Sequence, residues 1–334
     1  MDTALRLQEA PTTGRTDRLP AALRVVAIAA CVPYLTLKLA WLSGSHIGIP
    51  AGSELRRNEG VLFAANAATV AMDAAVIVLA FALTRAWGRR LPGWLLLLPL
   101  WVATGLLAPV VVGFPLQLVA GLLGVGSGAA DPADDEPFLA EWVFGVVYTG
   151  FGVQALALGW LFVRYGRERW GAVLRGRVGG LRSAGATAAV RRTFAVVTAV
   201  LAVAVAGANG LWAAGGDAGL SARVLAEQTG GQRLIHATAA AFALAATAGV
   251  LLAAFPGLRP RVRMRTVVAL GWTGGAALAA WAGWLLAVSL GGDALPGGGN
   301  QPSQAMNLVY AGEMITGTLT LLLGAQLLAE LREG

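Results

Sequence analysis

Long apolar runs separated by short basic clusters organise this chain. Runs such as Leu91–Val125 and Thr193–Gly216 contain no charged side chain. About 20 residues at 1.5 Å rise cross the hydrocarbon of a bilayer, so uncharged runs of this length predict spanning helices. The runs are rich in Ala and Leu and lack the strict alternation of a membrane barrel. The pattern predicts an all-α polytopic membrane protein with eight transmembrane helices, at 25–42, 61–84, 94–114, 139–163, 193–214, 234–255, 266–290 and 304–328. Beyond Val112 the third run continues through Pro115, which cannot carry on the helical ladder. The segment 115–125 is therefore expected to be interfacial or re-entrant, and Gly291–Gln304 is only a short Gly/Pro loop at the corresponding place.

The same pattern is written twice. Trp41, Gly44, Gly48 and Ile49 return as Trp212, Gly215, Gly219 and Leu220, and Gly60 and Trp101 find Gly231 and Trp272 at the same offset. One residue later in register, Glu141, Gly145, Gly152 and Gln154 return as Glu313, Gly317, Gly324 and Gln326. The Trp, Glu and Gln matches in order carry more weight than the glycines. They predict a parallel tandem duplication of a four-helix unit. A tail, 1–24, precedes the first unit, 25–163. A basic linker, 164–192, leads to the second unit, 193–328, and a short tail, 329–334.

Charge orients the spans. Apolar residues make up 57% of the chain and charged residues 13%, about half the share of a soluble domain. Arginines gather at the N-terminus, at Arg85, Arg89 and Arg90, across 164–192 and at Arg259, Arg261, Arg263 and Arg265. The opposite side has Arg56, Arg57, Arg223 and Arg233, with acidic Asp131, Asp134, Asp135 and Glu136. The positive-inside rule then places both termini in the cytoplasm of a plasma-membrane protein. The first run has no small-residue cleavage site after it, which predicts an uncleaved helix. A net charge of +7 raises nucleic acid as a partner, but the clusters follow topology and no finger-like Cys/His spacing accompanies them. The bilayer is the expected partner, with a small-molecule or lipid ligand beside it and no nucleic acid. The one cysteine, Cys31, reads as a buried inert thiol.

Ionisable residues inside spans are costly and mark candidate sites. Asp73 lies near the middle of span two, where the second half has Leu244. Lys38, the only lysine, sits near the outer end of span one, and its stem is expected to snorkel toward the headgroups. Glu141 and Glu313 are read as opening spans four and eight from the outer side, where a carboxylate caps a helix favourably. Each shares a face with two glycines, Gly145 and Gly152 or Gly317 and Gly324, which predicts a packing seam. Gln154 and Gln326 are expected to hydrogen-bond between helices. Lys38, Asn66 and Glu141 in the first half, and Asn209, His236 and Glu313 in the second, predict a polar pocket in each half. Asp73 deepens the first of these.

The pattern excludes several chemistries. HExxH, CxxC, Walker and Rossmann motifs are absent, and no catalytic set, metal site or cofactor is assigned. The four-plus-four layout resembles that of heme A synthases. Paired histidines on facing helices are needed for haem, however, and the chain has only His46 and His236. The stretches Pro33-Tyr34-Leu35-Thr36-Leu37-Lys38 and Met72-Asp73-Ala74-Ala75 resemble uncharacterised multi-pass membrane proteins of high-GC actinobacteria. That resemblance implies a plasma-membrane location and brings no catalytic residues. Three function classes remain at this point. They are small-molecule binding or transport through an outward polar pocket with Asp73, a membrane enzyme or redox accessory acting on a lipid or quinone, and a structural or regulatory partner without its own ligand.

Overall fold

The structure, a computed structural model, describes residues 18–56, 59–124, 139–181, 186–226, 228–290 and 302–333. Eight helices in it are long and apolar enough to cross a membrane. They are α1 (Arg18–Leu42), α2 (Glu59–Thr84), α3 (Gly93–Leu122), α4 (Glu141–Arg175), α5 (Ala186–Ala213), α6 (Gly230–Ala254), α7 (Met264–Leu290) and α8 (Gln304–Glu333). The chain is thus an all-α multi-pass membrane protein, since a helix satisfies its own backbone where no water can. The acidic residues Asp131, Asp134, Asp135 and Glu136 and most of the Gly291–Gln304 loop lie outside the described residues.

Two boundaries differ from expectation. The third helix does not break before Pro115; α3 runs on to Leu122 with Pro99, Pro109 and Pro115 inside it. A proline removes one rung of the ladder, whereas a break within hydrocarbon would strip several backbone groups of partners, so continuation is cheaper. The fourth helix leaves the apolar run at Val163 and continues to Arg175. The backbone just past its end is docked: the amides of Val178 and Gly179 donate to the carbonyls of Val262 and Pro260 at 2.9 and 3.1 Å.

Within the first half, α1 packs on α2 and α4; within the second, α5 packs on α6 and α8. The second half is closed further by α7 between α6 and α8, through glycines that admit backbone contact. A Cβ on Gly317 would run into the Gly275 carbonyl oxygen, and one on Gly274 would lie 2.5 Å from that of Phe242. The predicted seam is therefore realised at Gly317 alone, because a Cβ on Gly145, Gly152 or Gly324 would meet nothing within 4 Å. Between the halves, α3 meets α6 and α7. There Trp101 packs with Trp272, Ala276 and Ala279, and the Trp272 indole donates to Thr104 Oγ1 at 3.1 Å. At the tightest point a Cβ on Gly105 would overlap the Ala276 carbonyl oxygen.

The Trp/Gly turn is built the same way after α1 and α5. The Trp41 indole donates to the Ile47 carbonyl at 2.7 Å, and the Trp212 indole to the Ala218 carbonyl at 2.9 Å. Gly44 and Gly215 have φ of 89° and 93°, a region side chains avoid. Gly48 and Gly219 then offer their carbonyls to the start of the fourth helix of their half, through Ala140 N and Ser303 Oγ. Gly44→Ala should cost about 1 kcal/mol, since nothing crowds the position and only backbone strain is added. Gly215→Ala, with the Arg233 guanidinium 3.3 Å from the new Cβ, should cost at least as much. Thermal unfolding of both variants in detergent checks this, and a cost at only one of them would separate the two turns.

Candidate functional site

Buried polar residues form one chain in each half. In the first half the Lys38 ammonium turns inward. It is 8% exposed, donates to Asn66 Oδ1 at 2.8 Å and lies 4.7 and 5.1 Å from the Tyr34 and Trp41 ring centres. This overturns the snorkelling expectation. Two aromatic faces and an amide oxygen offer the cation more than the headgroup region does at the end of a stretched stem. The sequence assigns Tyr34 no role in the site, although it lies one helical turn from Lys38 and so shares its face. The chain continues inward as the Tyr34 hydroxyl reaches Thr69.

Asp73 occupies the next level. It is 4% exposed on α2, with the Gln154 amide of α4 within hydrogen-bonding reach. The same amide donates to the buried Cys31 sulfur at 3.1 Å, an interhelical contact of the expected kind. Asp73 Oδ2 and Asn66 Nδ2 are buried with no hydrogen-bond partner among the described residues. These two residues stand two helical turns apart on nearly the same face of α2. Lys38, Asn66, Thr69, Asp73 and Gln154 thus form a polar column between α1, α2 and α4.

The second half contains a shorter and tighter chain. Asn209 of α5 donates through Nδ2 to Glu313 Oε1 of α8 at 2.6 Å, and its Oδ1 lies 3.0 Å from His236 Nδ1 on α6. Because the Asn209 amide nitrogen donates to Glu313 and to the Val205 carbonyl, its oxygen must accept, and His236 carries its proton on Nδ1. Glu313 is 4% exposed, and its second oxygen takes no hydrogen bond from the described residues.

The two glutamates are not equivalent. Glu141 opens α4 and is exposed there, apart from the Lys38 column. Glu313 does not open its helix; α8 begins at Gln304, and Glu313 lies more than two turns in. Gln326 departs in the same way, donating to Glu330 on its own helix at 3.1 Å instead of to a neighbour. The sequence register of helices four and eight places residues of different depth side by side. A helix can slide along its axis while its residue spacing stays the same, so spacing cannot reveal depth.

A cavity of about 120 Å³ lies between the halves, on the side of the molecule away from Arg18 of α1 and Glu333 of α8. Glu313 lines it, with Phe114 and Gln117 of α3, Tyr148 of α4, Thr238 of α6 and Trp281 of α7. It adjoins a π-helical segment of α7, Ala277–Trp281, a distortion that recurs at functional sites. A larger groove of about 620 Å³, lined by Leu156, Gly159, Trp160 and Arg164, is on the outer face of α4, away from both polar chains. No group of three His, Cys, Asp or Glu among the described residues is placed to hold a metal ion. Comparison of the chain with protein-family models, with curated proteins and with solved structures finds no match.

Proposed function

We propose that this protein is a plasma-membrane transporter, with both termini cytoplasmic, that binds a small molecule from the outer side and couples its passage to a proton at Asp73. The observation that carries the reading is Asp73 itself. A carboxylate buried at mid-helix in lipid is expensive to keep, and this one leaves an oxygen without a protein donor among the described residues. The polar column from Lys38 to Gln154 supplies side chains along which a proton can be relayed from the outer third of the membrane to that oxygen. A site between halves is where transporters built from repeats place their substrate.

A parallel tandem duplication belongs to the same proposal. It is supported by the paired Trp/Gly turns and by the contact between the halves. There Trp101 meets Trp272 and Gly105 meets Ala276, and the members of each pair are separated by the offset that relates the turns. On a twofold axis a residue meets its own counterpart, and these pairs fit that rule.

Proteoliposomes carrying a pH-sensitive dye test the coupling. With a potential imposed by potassium and valinomycin, the wild type should show proton flux that Asp73→Asn lowers at least tenfold. Glu141→Gln, at an exposed position, should leave it unchanged. Equal flux through the wild type and Asp73→Asn would reject the role of Asp73.

A further inference from the structure

We infer that the cavity between the halves is a binding site for a small organic cation of the alkylammonium class, with Glu313 as its counter-charge. This rests on the reading of the cavity as the substrate site, and it adds the chemistry of the ligand. Glu313 brings the one carboxyl group among the residues that line the cavity. Its Oε1 is held by Asn209, which fixes the carboxylate, and its other oxygen has no donor among the described residues. Next to Asn209 stands His236, whose Nδ1 proton is engaged with Asn209 Oδ1, so the imidazole is not turned on the carboxylate. A carboxylate in a low-dielectric site is held by an opposite charge far better than by a dipole.

The rest of the lining agrees in chemistry. Phe114 and Tyr148 pack with ring centres 5.1 Å apart, and Trp281 lines the same cavity. Aromatic faces attract a desolvated cation, and rings gathered round a quaternary ammonium are the recurring solution for that ligand. Gln117 and Thr238 add hydrogen-bonding groups for a polar substituent. Size limits the ligand. A dry cavity of about 150 Å³ admits benzene, so one of 120 Å³ suits about five heavy atoms. Tetramethylammonium has that size, and tert-butanol matches it without the charge.

Calorimetric titration of the purified full chain in nanodiscs tests the site. Tetramethylammonium chloride should bind the wild type, and tert-butanol or sodium chloride should not. Glu313→Gln, which keeps the side chain's shape, should weaken binding at least tenfold, and Trp281→Leu several-fold. The melting temperature without ligand reports whether each variant folds, and Trp281→Leu keeps the test decisive if Glu313→Gln does not. Three outcomes would overturn the inference. They are no binding of tetramethylammonium to the wild type, unchanged binding to folded Glu313→Gln, or tert-butanol binding as well. Asp73→Asn separates this from the transport reading. Intact binding to that variant, with no proton flux in wild-type vesicles, removes transport and leaves the cation site. Proton flux without tetramethylammonium binding does the reverse.

Discussion

Glu330→Ala is expected to lower the stability of the folded protein by about 3 kcal/mol. Glu330 forms an ion pair with Arg191 that ties α5 to α8 at the end of the bundle where α8 finishes. The Arg191 side chain is 2% exposed and that of Glu330 is 25% exposed. Removing the carboxylate takes an ion-pair partner from a buried guanidinium, and breaking a buried pair from one side costs about 3–5 kcal/mol. The partial exposure of Glu330 places the expectation at the lower end. Glu330→Gln keeps a hydrogen-bond acceptor and should lose about half as much. Replacing both residues with methionine should recover most of the loss, because an apolar pair of similar volume carries no desolvation cost. Unfolding in mixed micelles, followed by tryptophan fluorescence, measures all three. An Ala variant within about 0.5 kcal/mol of the wild type would show that the pair contributes little.

The contact between the halves should be equally sensitive. At Gly105 a methyl group meets the backbone of Ala276 and the Cβ of Ala280, 2.7 Å away, and none of these atoms belongs to a flexible side chain. Gly105→Ala must therefore push α3 from α7, at a cost of about 1–3 kcal/mol. Gly105→Leu is expected to part the halves, lose the Trp272–Thr104 hydrogen bond and turn Trp101 toward lipid, which a shift in tryptophan emission would record. Gly121→Ala on the same helix, with nothing within 4 Å, should cost nothing and should firm the helix by a few tenths of a kcal/mol. Equal stability of Gly105→Ala and Gly121→Ala would contradict the close approach.

The eight spans were legible because their signal is additive. Twenty apolar residues cannot be anything else in lipid, and a misplaced residue at either end changes little. The direction of Lys38 was not legible. It depends on Tyr34 and Trp41 on its own helix and Asn66 on the next, and only packing decides whether a long stem turns inward or out. The depth of Glu313 escaped for a related reason. The match with Glu141 preserved spacing and said nothing of where α8 begins. The Arg191–Glu330 pair is not legible in the sequence because both residues lie in charged flanks of their runs, where an arginine ordinarily faces water or headgroups. The cavity was the least visible feature, since its walls come from five helices that lie far apart along the chain.

The π-helical turn gives α7 slack. Such a turn is a helix with one residue more than the ladder needs, so the surplus can be passed along without breaking the chain of hydrogen bonds for more than a turn. Each residue the surplus passes is rotated by about 100° about the axis. Ala276 at the seam lies on one side of the wide turn, and the stretch beyond Trp281 lies on the other. A small migration of the surplus residue toward the far end would re-aim Trp281, and it would also turn Ala280, which faces Gly105 across the seam. The shape of the cavity and the seam between the halves are therefore linked through a single turn of one helix.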